Sequence, residues 1–218
     1  MNRFGVLVPA SLAAALTFVL MAQDTRPTTA PVPGAPSPAV PSGTGEYRID
    51  SVHSSNYFCI RHLNVANFYG RFNEVTGTFI LDDAEPARCA FDVTIRAASL
   101  DTNHPERDKH LKSAEFFDVE QYPEIRFRST RVRREEHGQL AVLGDLTLRG
   151  VTRPVTATVT LTGAGPGMRG EPRAGFEATL AIKRSEFGMT ALVGPLGDEV
   201  RITVSVEGIR ETPAAPAR

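Results

Sequence analysis

Residues 89–127 read CAFDVTIRAASLDTNHPERDKHLKSAEFFDVEQYPEIRF. The first part alternates with period two. Cys89, Phe91, Val93 and Ile95 fall on one side of an extended chain, and Ala90, Asp92, Thr94 and Arg96 fall on the other. The end resumes the same pattern, with Ile125, Phe127 and Ser129 opposing Arg126, Arg128 and Thr130. Between them, Ser99 to Tyr122 breaks it. Asn103 is the candidate N-cap of a short helix, with Glu106 three residues on to complete a capping box. Pro105 falls in the first turn, where a missing N–H costs nothing. Asp108 and Lys112 make an i,i+4 pair, and Leu111 and Ala114 give a thin apolar edge. Phe116 and Phe117 follow, and Tyr122-Pro123 turns the chain into the next strand.

Outward from this stretch the alternation continues in both directions. Phe58, Ile60 and His62 oppose Cys59 and Arg61, and Phe72, Gly77 and Phe79 form the next set. Downstream come Leu140, Val142, Gly144, Leu146 and Leu148, then Val155, Ala157, Val159 and Leu161. Ala178, Leu180 and Ile182 follow, and Val200, Ile202, Val204 and Val206 end the series. Such one-face-buried patterning, with Gly or Pro turns, predicts an all-β fold: an extended eight-stranded antiparallel barrel with one short helical insertion. A closed barrel leaves no exposed edge, so the insertion is its plug, lid or mouth.

Several strands run to about 11–13 residues, roughly 40 Å at 3.3 Å per residue. Ten of the twelve phenylalanines, all but Phe4 and Phe18, lie in this region, and there is no tryptophan. An eight-stranded barrel is either filled by its own side chains or holds one small ligand. A long lumen suits a slender apolar guest, and Gly144 in an inward slot helps keep space open. Shared parity predicts a continuous cavity lined by Phe58, Ile60, Phe72, Phe91, Phe127, Val142 and Leu146. His62, Phe79, Val93 and Phe176 join the predicted ligand-binding set, with Arg107, Leu111, Phe116 and Phe117 from the insertion. Arg184-Ser185 with Phe187-Gly188-Met189 reads as a second mouth segment, from which Phe187 and Met189 are added. The alternative is a filled barrel that serves as a stress-protective structural or partner protein.

Composition bounds the remaining choices. The 218-residue chain carries a net charge of −1 and a pI near 6.5, which leaves no footprint for nucleic acid. Cys59 and Cys89 are too few for a disulfide scaffold or structural zinc site, though they could form one bridge after export. Arg3 followed by an apolar run to Ala22 predicts a cleaved signal peptide over 1–22, hence a periplasmic or secreted protein. An uncleaved N-terminal anchor is the alternative, because the run is long enough to span. Residues 23–45 form a Pro-rich disordered tether, 46–210 the barrel domain and 211–218 a disordered tail.

The polar residues suggest no catalytic or metal centre. Asp50, His53 and Ser54 cluster, but Ser54 and His53 are adjacent on an extended chain and point to opposite faces. Asp-x-x-His there ties a strand corner. His104 and His110 are six apart and do not share a helix face as i,i+4 ligands would. Arg107, Asp108 and His110 form either a salt-bridged clamp or a polar collar for a ligand headgroup, with Arg107 as a fork for oxygens.

Three segments then fall together. YRIDSVHSSNYFCIRHLNVANFYGRFNEVTGTF has a D-x-x-H-S start, a strand ending in His-Leu, a G-x-F and a later Gly. SLDTNHPERDKHLKSAEFFDVEQYPEIRFRST carries R-D-x-H-L, F-F-D, Y-P and F-x-S-T, and GDLTLRGVTRPV and GFEATLAIKRSEFGM complete the run. In order and spacing, Tyr47 to Ile209 resembles the YceI-like family of exported lipid- and polyisoprenoid-binding proteins. The resemblance implies a lipocalin-like barrel holding an apolar chain, such as a polyisoprenoid or isoprenoid quinone, in its lumen. It also implies a frequent homodimer. The residues themselves lead to the expectation of a non-enzymatic protein without cofactor, for which contact with a membrane is a route of ligand exchange. Asn56-Tyr57 departs from the pattern, where small or apolar residues are commoner.

Overall fold

The computed structural model describes residues 43 to 211; the signal segment, most of the tether and most of the tail lie outside the described residues. Eleven strands form one antiparallel sheet that closes on itself. β1 (Gly45–Ile49) and β2 (Ser55–His62) are two halves of one long strand, and β3 (Ala66–Phe72) and β4 (Val75–Leu81) are two halves of the next. β5 (Ala90–Arg96) and the two-residue β6 (Leu100–Asp101) precede helix α1 (Pro105–Lys112). β7 (Glu124–Arg134), β8 (Leu140–Leu148), β9 (Val151–Pro166), β10 (Pro172–Lys183) and β11 (Leu196–Arg210) then meander around the wall. β11 pairs with β2 through residues 196–205 and with β1 through 208–210, which closes an eight-stranded ring.

The break between β1 and β2 is the Asp50 corner, and its chemistry is structural. The Asp50 carboxylate accepts from the Val52 N–H at 3.1 Å, from His53 Nδ1 at 2.9 Å and from Arg173 Nη1 at 2.9 Å. Ser54 Oγ donates to the main-chain oxygen of Asp50 rather than facing His53. The His53 hydrogen bond, helped by Arg173, holds the Asp50 carboxyl at about 2.

The closed half of the barrel is packed solid. Tyr47 stacks on Phe79 at 5.0 Å, and Phe176 meets Phe79 and Phe91 edge-on at 5.1 and 5.0 Å. Val75, Leu140 and Val142 close the gaps between the rings. A second cluster, Leu146, Leu148, Ile182, Phe187 and Met189, lies toward the other end. Gly144 does not hold space open: a Cβ there would come within 2.5 Å of the Phe127 ring, which lies across it. A bulge between Ser129 and Arg131 shifts the parity of β7, so Val132 points inward where the alternation had placed it outside.

The ring has a gap. β3 is paired on its far side only at Arg71 and Phe72, with β6, so residues 66–70 meet no further strand among the described residues. The expectation of a barrel without an edge therefore fails in the upper half, where the insertion lies beside β3.

Candidate functional site

The helical insertion is shorter and differently capped than its sequence suggests. His104, not Asn103, is the N-cap: its Nδ1 accepts from the Arg107 N–H at 3.3 Å, while Asn103 takes up a left-handed φ of 60°. Asp108 forms no pair with Lys112. Its carboxylate accepts from the Thr102 N–H at 2.9 Å and from the Thr102 hydroxyl. Arg107 joins the same residue, donating from Nε to Thr102 Oγ1 at 2.8 Å and from Nη2 to its carbonyl at 2.7 Å. Its guanidinium stacks 4.6 Å over Phe68 on the open edge of β3. The side chain is thus half clamp, and Nη1 has no partner among the described residues.

Three attachments hold the rest of the insertion. Arg149 donates to the Ala114 carbonyl at 2.6 Å and to the Gly188 carbonyl, bridging the insertion to the segment after β10. Phe116 is buried against the His110 ring at 5.0 Å. Phe117 meets Phe72 edge-on at 5.4 Å.

Beneath these residues lies a cavity of about 360 Å³. Phe58, Ile60, His62, Phe72, Arg107, Leu111, Phe116, Phe117 and Met189 line it, as do Phe68, His110, Ile125, Leu148, Ile182, Arg184, Leu192, Leu196 and Val200. Phe91, Val93, Phe127, Leu146 and Phe176 border a separate apolar void of about 70 Å³ deeper in the lumen, and Ile125 borders both spaces. Phe79, Val142 and Phe187 line neither space: the first two fill the aromatic floor and Phe187 is buried in the second core cluster. The lumen is therefore not the single continuous channel that parity predicts. Parity tells which way a side chain points, not whether the opposite wall fills the space.

Arg184 is the residue whose role the sequence hides most. It is 3% exposed and donates to the carbonyls of Gly197 and Met189 at 2.9 Å, of Ala191 at 2.7 Å and of Leu196 at 3.3 Å. Burial lowers its pKa, and only the more distant charge of Asp198 opposes this. Nothing in RSEF signals that carbonyls from residues 189–197 fold back over it. Asn56 is also buried, but its amide donates to the Phe72 carbonyl at 2.9 Å, and Tyr57 points outward; neither lines the cavity.

Another concave region is less suited to an apolar guest. A groove of about 1150 Å³ lies along the β9–β10 hairpin beside His53, open to solvent. Asp50, His53 and Glu207 there have ligand atoms within 4.8 Å of one another, but Arg173 bonds to both carboxylates and supplies the balancing charge. Cys59 and Cys89 are both free thiols: Cys59 Sγ accepts from Arg201 at 3.2 Å and Cys89 Sγ from the Asp82 N–H at 3.2 Å.

A model of the YceI-like domain matches residues 47–208. The chain belongs to the YceI-like family. This YceI-like chain is 45% identical over 168 residues to Protein YceI of Salmonella newport, across 76% of this chain and 87% of that protein. It is similar to the Campylobacter jejuni YCEI protein, at 28% identity and a TM-score of 0.63 over 70% of this chain and 91% of that one. A polyisoprenoid binding domain from Saccharophagus degradans shares the fold, with a TM-score of 0.58 and 13% identity over 76% of this chain and 98% of that one.

Proposed function

We propose that this YceI-like protein binds an apolar chain amphiphile, such as a polyisoprenoid or related lipid, and sequesters or carries it in the cell envelope. The observation that carries this reading is the 360 Å³ cavity, which is lined mostly by apolar side chains and is polar only at Arg107, His110, His62 and the buried Arg184. Its volume falls in the range of ligand sites, roughly 300–1000 Å³. The Saccharophagus degradans neighbour, named for polyisoprenoid binding, supports the same class of guest. Export rests on the apolar start of the chain, and N-terminal sequencing of the mature protein is expected to begin at or near Gln23.

The work is binding rather than catalysis. Ser54, Asp50 and His53 are occupied in a corner, and the polar groups of the mouth include no nucleophile paired with a base. Exchange with a membrane is supported by exposed Leu63, Val65, Leu192 and Val193. The first two flank the β2–β3 hairpin tip, and the Leu63 N–H donates to the Pro195 carbonyl at 2.7 Å, which joins that tip to the 192–195 loop.

The packed aromatic floor favours a second reading, a filled structural barrel. Native mass spectrometry of protein purified from its own envelope separates the two. A bound lipid mass is expected, and protein that is empty in every preparation would favour the filled barrel.

A further inference from the structure

We infer that the β2–β3 turn and the 192–195 loop form one docking edge for an anionic phospholipid bilayer, with Leu63 and Leu192 as inserted side chains. This rests on reading the mouth cavity as a guest site in exchange with a membrane, and names the inserted residues and the charge of the lipid face.

Backbone strain marks the two leucines. Among the described residues, seven other than glycine have a left-handed φ: Leu63, Asn64, Asn103, Asp118, His137, Arg149 and Leu192. Asn and Asp visit that region readily because their short polar side chains bond locally, whereas larger side chains are strained there. Of the seven, only Leu63 and Leu192 are apolar. Leu63 has a φ of 50° in the turn whose Val65 N–H donates to the His62 carbonyl at 3.0 Å, and Asn64 follows at 57°. Two successive positive values belong to a primed hairpin turn, which favours Asn-Gly. Leu192 has a φ of 52° and opens the loop in which its carbonyl accepts from the Leu196 N–H at 2.9 Å.

Packing does not account for either leucine. Leu63 is 56% exposed and Leu192 52%, with Val65 and Val193 exposed beside them. The Leu63 N–H donates to the Pro195 carbonyl, so the four side chains crown a single edge. His62 and Leu192 also line the cavity, which places that edge at its mouth. Folding alone would favour Asn or Gly at both strained positions, and strain of this kind persists where function uses the side chain.

The chemistry of the edge matches a lipid interface. Projecting leucines and valines enter a bilayer without a shaped counterpart, and cations behind them meet anionic headgroups. Arg61 is the cation at the base of the turn. It donates from Nη2 to the Asn64 carbonyl at 2.8 Å and from Nη1 to Asn67 Oδ1 at 3.3 Å, and meets no carboxylate among the described residues. The acidic groups after the second loop are engaged elsewhere: Asp198 holds Ser185, and Glu199 lies opposite Lys183 in register.

The test is flotation of the chain, purified in soluble form from its own envelope, with two kinds of vesicle. One is phosphatidylcholine and the other an equal mixture with phosphatidylglycerol. Binding to the mixture is expected to be at least tenfold stronger, and Arg61→Gln should remove most of that preference. Leu63→Asn with Leu192→Asn should weaken binding to the mixture at least tenfold while Tm holds or rises, because Asn suits a left-handed φ. Flotation of this variant within twofold of the unaltered protein would overturn the docking edge. A lowered Tm would overturn the strain that marks the leucines, and equal binding to both vesicles would overturn the anionic face. That comparison of vesicles stands even if the variant does not fold. Native mass spectra of the same preparations keep the two readings apart. Bound lipid without vesicle binding defeats the docking edge alone, and vesicle binding by a protein that is always empty defeats the carrier reading alone.

Discussion

Replacing Phe116 with Ala should loosen the insertion without dissolving the barrel. Phe116 is 5% exposed and docks a helix of eight residues, too short to persist alone in water and with no buried side chain of its own. The insertion therefore stays down through Phe116, the partly buried Phe117 and Leu111, the Arg149 bridge and the Thr102 knot. Burying a Phe side chain is worth about 1.5–3 kcal/mol. If that energy separates the docked from the loosened insertion, Phe116→Ala raises the loosened population by about 10- to 150-fold. Release of a loaded fluorescent apolar-chain lipid, followed by stopped flow, should accelerate by the same factor. Amides over 102–122 should exchange faster, while those of β8 to β10 keep their protection. Release within twofold of wild type, with the variant still folded, would show that the guest leaves another way. Unchanged protection over 102–122 between free and loaded protein would refute the lid itself.

Three further outcomes are expected. The Asp50 carboxyl, held at about 2 by His53 and Arg173, lies below its ordinary 3.8. Its contribution is therefore complete above about pH 4 and lost as pH falls toward 2; Asp50→Asn should lower Tm at pH 7 and flatten the fall of Tm over that window. The chain unfolded without reductant should take up two equivalents of iodoacetamide. In the folded protein Cys89, buried and with its thiol pKa raised by burial, should react slowly at pH 7. Gly144→Ala drives a methyl into the Phe127 ring and the Arg128 carbonyl, both 2.5 Å away, so thermal melts should show a loss of about 1–3 kcal/mol.

The barrel was legible because β-sheet side chains alternate and its long strands repeat the signal many times. Phe91 and Val93, Val142 and Leu146, Val204 and Val206 all face inward as their parity requires. What escaped was whatever depends on two distant stretches meeting. Val132 is inward only because of a bulge, and Gly144 serves the ring of Phe127 on the neighbouring strand. The cap moved by one residue although cap preferences favour Asn103, because Asn103 takes a left-handed φ of 60° with its N–H on the Asp101 carboxylate, and His104 has the extended backbone of an N-cap. Asp108 left Lys112 because Thr102 offers two buried donors, while an exposed i,i+4 pair offers only a few tenths of a kcal/mol. Of the cavity, the aromatic and aliphatic wall could be read from parity, but Arg184 could not, since its partners are main-chain oxygens whose positions no sequence pattern encodes.

The aromatic floor of Tyr47, Phe79, Phe91 and Phe176 divides the labour of the molecule along its axis. Cooperative folding is anchored at one end, where rings interlock and β1 closes on β11. On the proposed reading selectivity resides at the other, where the wall is incomplete and side chains face a void. Substitutions at the mouth therefore draw little on the stability that the floor maintains. If the cavity holds a guest as proposed, the same scaffold can be retuned to another by changing a few lining residues such as Phe68, Arg107 or Leu192, while a change of equal size at the fully buried Phe79 would threaten the fold itself.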